Sequence, residues 1–513
     1  MSRILSLLFA LPLLVAASDY VLPAFPGAEG WGMAPTGGRG GPVKYVTRLD
    51  DTNPDGTGVE GDLRWALKSS GGPRVVIVKT NGWITLDKPI FLSGAHSSFT
   101  LVGHKAPGDG AGVRAGATMQ GNALIYTSTG PPTNIIIRFM RFRMGVAGGN
   151  SDTMLLGNIL GPGITNAIIA NCSFGWGGDE TASFQWADRF TLQDNIIAET
   201  IDNDEAYGPN VASHNLGGLN SGNITILRNL YAHNYSRNPH TRGPVDVINN
   251  VTFNTWMSVH NTWDTGTPTP KQVNIIGNYF IPGPWTNAYT SRQPEEQVTY
   301  GGQSPSPPVE LHLAGNDVRG YTITDQMQLI LNDVVGGGNF AKFTGRPWYN
   351  ERTAADAFEY VTNNVGAYLP VRDSVDARYI AEIHGQAVDG DTFNGWITSE
   401  DDVGGYPTLA AGTPYTDTDL DGMEDSWEQF YFSTLARDGR SDNDGDGYTD
   451  LEEYLWGTNP NVYVDYYRDF YTGALRSDDE VDPPPPPPGP PPVHGSVMAV
   501  DGLIVGDGII RAD

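Results

Sequence analysis

Three observations predict an all-β chain of the parallel β-helix type, with a small helical module at its C-terminal end. Glycine (64) and proline (37) are abundant in the 513 residues and only 18% of positions are charged. Helical periodicity is scarce, so the profile is one of many short strands joined by turns. Between about 133 and 283 a motif recurs, in "TNIIIRFMRFRMG", "TNAIIANCSFGW", "DRFTLQDNIIAE", "GNITILRNLYAHN", "PVDVINNVTFN" and "QVNIIGNYFIPG". Each copy is an apolar alternation, a polar pair that usually contains Asn, and a second apolar pair. Aligned on Asn171, Asn195, Asn229, Asn250 and Asn278, the steps are 24, 34, 21 and 28 residues. Irregular steps of twenty-odd residues fit stacked coils with insertions between them. A β-sandwich would instead call for regularly placed Asn-Gly hairpin turns, which are missing.

The elements follow in order. Residues 1–18, "MSRILSLLFALPLLVAAS", carry a basic start at Arg3, an apolar run over 4–15 and small residues at Ala16, Ala17 and Ser18. That is a secretory signal pattern, too short to span a bilayer of about 30 Å. Residues 19–400 are assigned to the β-helix. Within them "TAADAFEYVTNNVGAYLPVRDSVDARYIAEI" (353–383) has helical spacing and is expected to pack on the solenoid's end. Residues 401–482 hold 21 acidic and 4 basic side chains, −17 of the chain's net −28. "PPPPPPGPPP" (483–492) is a stiff polyproline linker before a tail of unknown role at 493–513. The single cysteine, Cys172, rules out an intramolecular disulfide and reads as a small buried hydrophobe. Sequons begin at Asn171, Asn223, Asn234 and Asn250, the glycosylation candidates of an exported chain; all lie in the strand-rich region, where an interior asparagine would be out of a glycosyltransferase's reach.

Two acidic stretches obey the twelve-residue calcium-loop rule. "DTDLDGMEDSWE" (417–428) places Asp417, Asp419 and Asp421 at positions 1, 3 and 5, the Met423 carbonyl at 7 and Glu428 at 12. "DNDGDGYTDLEE" (442–453) repeats this with Asp442, Asp444, Asp446, the Tyr448 carbonyl and Glu453. Calcium requires six to eight oxygens, which alternate carboxylates and a bidentate Glu supply. The expected role is structural.

In so acidic a chain, "RNLYAHNYSRNPHTRGP" (228–244) gathers Arg228, His233, Arg237, His240 and Arg242. Such a strip suits an anionic partner by reversing the sign of the field locally. A solvated turn is the plainer explanation.

That stretch resembles the secreted pectate lyases of polysaccharide lyase family 1. So do "AFPGAEGWGMAPTGGRGGPVKYVTRLDD" near the start, "DLRWALKSSGGPRVVIV" (62–78), "GAYLPVRDSVDARYIAEI" and "VGGYP" (403–407). The resemblance spans roughly 23–460 and implies a right-handed parallel β-helix, Ca2+ dependence and β-elimination of polygalacturonate. By similarity to the family's Arg-x-Pro-x-x-Arg motif it makes Arg237 the catalytic residue. Arg242 is then expected to clamp a substrate carboxylate, and His214 to bind substrate. Asp152, Asp179 and Glu180 become the candidate ligands of a catalytic calcium. Where the family offers an Asp-His pair after an apolar strand, this chain has Ala170 and Asn171, so one expected ligand is missing and Asp202 or Asp204 could replace it.

These features lead to the expectation of a secreted, monomeric, calcium-dependent pectate lyase acting on pectin, with no nucleic-acid or membrane partner. A pectin lyase on the same fold, or a non-catalytic calcium-stabilised polysaccharide-binding β-helix, remains open. A polygalacturonase needs paired acids about the scissile bond, and its Asn-Thr-Asp, Gly-His-Gly and Arg-Ile-Lys signatures are not found.

Overall fold

The computed structural model describes residues 20–476 apart from 70, 120, 122, 128–129, 158–160, 202–213, 262–270, 289–292, 300–308, 332–338 and 388–394. The expected signal segment, the polyproline linker and the tail lie outside the described residues, as do Asp202 and Asp204.

The repeats become coils whose strands stack in parallel on three walls. Wall one runs from Ile90–Phe91 through Ala123–Tyr126, Asp152–Gly157, 182–187, 219–222 and His240–Arg242 to Val259–Asn261 and Val298–Thr299. Wall two begins at Val43–Val46 and ends at Val309–Ala314. Wall three begins at Gly82–Leu86 and ends at Asp317–Val318. Among the named strands the one antiparallel pair is Tyr20–Val21 with Arg468–Asp469, which excludes a hairpin sandwich. Inside the tube, like residues from successive coils stack. Phe142 and Phe174 lie 5.4 Å apart with ring planes 12° from parallel.

The turn between walls two and three explains the asparagines. Asn195, Asn229, Asn250, Asn278 and Asn316 form a ladder with Nδ2–Oδ1 rungs of 2.9, 3.0, 3.1 and 2.9 Å. Each Nδ2 also donates to a carbonyl one coil back, for instance Asn229 to Leu192 at 2.9 Å. Each Oδ1 also accepts a backbone N–H, as Asn229 does from Asn195 at 2.9 Å. The buried amide groups of the ladder are thus fully paired.

The repeat aligns on Asn171 by sequence, but the rung above Asn195 is Cys172, whose N–H donates to Asn195 Oδ1 at 2.8 Å. Asn171 instead takes the corner position one residue earlier, with φ 53°. Asp194, Arg228 and Asn249 hold the same left-handed corner in later coils. The ladder also corrects the glycan assignment. Asn234 and Asn250 are buried, and their Nδ2 atoms donate to Ile197 and Ile226 carbonyls inside the turns. Asn171 is buried with Nδ2 bound to the Asn364 carbonyl. A glycan at these three positions is incompatible with the fold. Asn223, half-buried at an outer corner beside Asp188, stays open to that role. Asn229→Ala is expected to cost about 2–6 kcal/mol, since it strands two buried partners at about 1–3 kcal/mol each; urea unfolding measures it.

Residues 24–37 form a strap over the outside of wall two. Ala24, Phe25 and Ala28 pack on Ile136, Ile168 and Ala170. Gly32 donates to Thr191 Oγ1 at 2.8 Å, and a Cβ there would meet the Ala167 carbonyl at 2.1 Å. The "EGWG" glycine therefore marks a close approach of strap to wall.

Helices Ala354–Asn364 and Ser374–Ile383, expected at the solenoid's end, lie along wall three instead. Val361, Val365, Val375, Tyr379 and Ile383 cover Ile196, Ala198, Leu230, Val251 and Phe253. Asp373 caps the second helix by accepting from Val375 and Asp376 N–H groups, and it pairs with Arg143 at 2.6 Å.

The C-terminal helices Asp425–Phe432 and Asp450–Trp456 close against the first coils. Met423, Leu451, Tyr454 and Leu455 pack on Val75, Ile77 and Val102. Arg39 Nε donates to both carboxylate oxygens of Glu452, at 2.9 and 2.8 Å. The module therefore joins the two ends of the described chain. Among the described residues no helix is long and apolar enough to cross a membrane.

Candidate active site

Wall one brings together residues far apart in sequence. The parallel bridges Glu180↔Leu216 and Leu216↔Ser236 align three successive coils. Thr153 N–H donates to the Glu180 carbonyl at 3.1 Å and adds the coil before them. Asp152, Asp179, Glu180, His214 and Arg237 consequently share one surface.

One carboxylate oxygen from each of Asp152, Asp179 and Glu180 lies within 4.8 Å of the others. Asp152 and Glu180 are buried. Burial, then Glu180 and Asp179, push the Asp152 carboxyl well above its usual range. Burial pushes Glu180 up to about 7 against the pull of Arg237, with Asp179 adding to the rise. Three adjoining carboxylates are an all-oxygen donor set suited to a hard divalent cation, which relieves their mutual repulsion.

Arg237 Nη1 donates to Glu180 Oε1 and its side chain stays 32% exposed. Its backbone sits at φ 63°, which turns it out of the strand path. Expected to bind substrate, His214 is joined to the cluster itself, with Nδ1 2.7 Å from Asp179 Oδ1. Arg242 ends the strand His240–Arg242 opposite Ser221, half-buried on the same wall.

The strip is narrower than the sequence suggests. Arg228 is buried, bound to Glu29 and Asp194 at 2.9 Å each. His233 is buried against Glu382 at 2.7 Å. Both hold the fold together and do not line the wall. The missing ligand at Ala170 is likewise no gap in this cluster. Ala170 pairs with Gln193, at the far end of the long strand Ala182–Gln193 from the acids, and is covered by the strap.

The same column of coils carries residues that the sequence reading does not single out. Tyr235 and Trp256 stack at 4.8 Å and 6°. His260 lies one coil beyond Arg242, its ring 5.2 Å from that of His240. Burial, then Arg237 and Arg242, push His260 down to about 4. The signal for these residues is their register in successive coils, which a chain with insertions conceals.

The two C-terminal loops match each other in detail. Asp417 accepts from Leu420 and Gly422 at 2.7 and 3.1 Å, and Asp442 from Gly445 and Gly447 at 2.7 and 2.9 Å. Tyr45 Oη also reaches Asp417. Gly422 and Gly447 have φ of 107° and 106°, a conformation that favours glycine. Asp417, Asp419 and Asp421 form one oxygen cluster and Asp442, Asp444 and Asp446 another. Buried oxygens of Asp421, Glu428, Asp444, Asp446 and Glu453 lack a hydrogen-bond partner. Unpaired buried carboxylate oxygens of this kind fit a bound cation.

Over 466 residues, covering 90% of this chain and 99% of the relative, the sequence is 33% identical to probable pectate lyase C of Aspergillus flavus. The chain belongs to the pectate lyase family. It is also 33% identical over 466 residues to probable pectate lyase C of Aspergillus oryzae, again covering 90% of this chain and 99% of that one. Among solved structures, it resembles a pectate lyase of Paenibacillus sp. 0602 with TM-score 0.42 and 12% identity, over 67% of this chain and 96% of that one. No family model matches. A parallel β-helix of the pectate lyase family, with a carboxylate cluster and an arginine on one outer wall, is an enzyme with its candidate site on that wall.

Proposed function

We propose that this protein is secreted and cleaves (1→4)-α-D-galacturonan by calcium-dependent β-elimination, giving unsaturated oligogalacturonides in the breakdown of pectin. One observation carries the reading: Arg237 lies against the Asp152–Asp179–Glu180 cluster on an outer wall. Calcium held by those carboxylates, when bound, supplies positive charge for the substrate carboxylate and so acidifies the neighbouring C5 hydrogen. Arg237 stands where the carbanion-like charge develops and either takes the C5 proton or, still protonated, steadies that charge. The C5–H electron pair becomes the C4=C5 double bond, the C4–oxygen bond breaks, and the departing oxygen takes a proton from solvent. His214 orients Asp179, and Arg242 offers two parallel donors to a carboxylate of the chain. Both C-terminal loops are assigned to structural calcium.

The test is ultraviolet absorbance of the conjugated product with polygalacturonate as substrate, with and without chelator. Absorbance that grows only with calcium supports the reading. None in either condition refutes it, and growth on methylated pectin with chelator present favours a pectin lyase.

A further inference from the structure

We propose that an open cavity at the corner between walls two and three, around Lys79, binds one galacturonate residue of a polygalacturonate chain as a second site away from the catalytic wall. The choice of ligand rests on the pectate lyase reading of wall one; the cavity itself does not.

The corner lies where the solenoid meets the C-terminal module. Lys79, Thr80 and Asn81 turn the chain from the wall-two strand Arg74–Val78 to the wall-three strand Gly82–Leu86. Residues 407–415 run over this turn and leave a cavity of about 540 Å³, lined among others by Tyr45, Lys79, Asn81, Pro107, Pro414 and Leu420. That volume is in the range of small-ligand sites.

The covering segment is fixed in place. Trp83 Nε1 donates to the Pro407 carbonyl at 2.9 Å. Asp109 N–H donates to the Ala410 carbonyl at 3.0 Å, and Ala410 N–H donates to Asp109 Oδ2 at 2.9 Å. Tyr415 Oη donates to the Gly422 carbonyl at 3.1 Å, and Tyr45 Oη to Asp417. The cavity is therefore preformed, and filling it orders little of the protein.

Its chemistry suits a sugar acid. Lys79 Nζ lies 4.6 and 4.2 Å from the ring centroids of Tyr45 and Tyr415. The rings hold the ammonium in place without neutralising it, and among the described residues no carboxylate forms an ion pair with it. In a chain of net charge −28, a cation so placed is ready for an incoming anion. Lys79 is the one basic residue in the lining, which matches the single charge of a uronate. The Asn81 amide donates to the Leu409 and Ala410 carbonyls at 3.4 and 3.3 Å, leaving Oδ1 to accept from a sugar hydroxyl. Pro107, Pro414 and Leu420 offer apolar surface to the C–H face of the sugar ring. A long chain anchored here is kept at high local concentration near wall one.

The test is calorimetric titration of full-length Arg237→Ala with trigalacturonate, calcium being present. Two sites are expected, one on wall one and one in the cavity. Adding Lys79→Gln should weaken one site by about tenfold, the effect of losing a hydrogen bond to a charged group, and leave the other unchanged. Adding Lys79→Arg should keep both, and the Lys79-dependent site should weaken with salt. Leu420 is 65% exposed, so Leu420→Glu places a repelling carboxylate at the rim without disturbing the core and should weaken the same site; it decides the matter if Lys79→Gln does not fold. A titration that neither substitution changes overturns the cavity site and leaves the lyase intact. Absence of unsaturated product from the parent refutes the lyase reading, and a site that depends on Lys79 would still stand.

Discussion

Replacing Arg237 by alanine is expected to lower turnover of polygalacturonate by about a thousandfold, the range for removing a group that stabilises transition-state charge. Thermal stability should change by less than about 1 kcal/mol, because the guanidinium is partly exposed and surface ion pairs contribute little. The variant has a second signature. Arg237 and a bound cation both compete for Glu180, so removing the guanidinium relieves like-charge repulsion and calcium should bind the cluster more tightly. Arg237→Lys keeps a positive charge but loses the planar fork, and should fall between parent and alanine. Absorbance rates, melting curves and calcium titration together separate these effects. A folded alanine variant with parental turnover would sink the assignment.

The later coils were legible because one buried turn carries an asparagine in each coil from Asn195 to Asn316, where an amide side chain can both donate and accept. Asn229 uses its Nδ2 and Oδ1 for both neighbours and for backbone groups. The first rung was misplaced by one residue because asparagine also suits the adjacent left-handed corner, where Asn171 and Asn249 sit. Sequence does not separate two uses of one residue type in adjacent positions. Coils before 133 lack the asparagine and left no repeat to read. Asp152, Asp179 and Glu180 are candidate ligands through the family resemblance, and the stacking of coils brings one carboxylate oxygen of each within 4.8 Å of the others. Arg228 and His233 were misjudged because their partners, Glu29 and Glu382, lie 199 and 149 residues away. Tyr235 and Trp256 share the same difficulty, since the insertions between coils hide which residues share a column.

Removing calcium, or combining Asp417→Ala with Asp442→Ala, is expected to lower the melting temperature by about 5–10 °C. At one hundred times its dissociation constant each ion contributes about 2.7 kcal/mol, and a large domain moves about 2 °C per kcal/mol. The effect should depend on pH in a defined direction. Without a cation, burial with added repulsion from neighbouring carboxylates pushes Asp421, Glu428 and Asp446 up to about 7 and Glu453 up to about 9. Unfolded carboxyls titrate near 4, so between about 4 and 9 the folded cation-free chain holds protons that the unfolded chain has released. Its stability therefore falls as pH rises through that window, and the gap between calcium-loaded and chelated melting temperatures should widen from pH 5 to pH 9. The loops clamp the helices Asp425–Phe432 and Asp450–Trp456 onto the first coils, whereas Asp152, Asp179 and Glu180 sit on wall one. Initial rate at low temperature with calcium present should accordingly survive the double substitution. An immediate loss of rate equal to that of Arg237→Ala would show that the loops serve the chemistry directly.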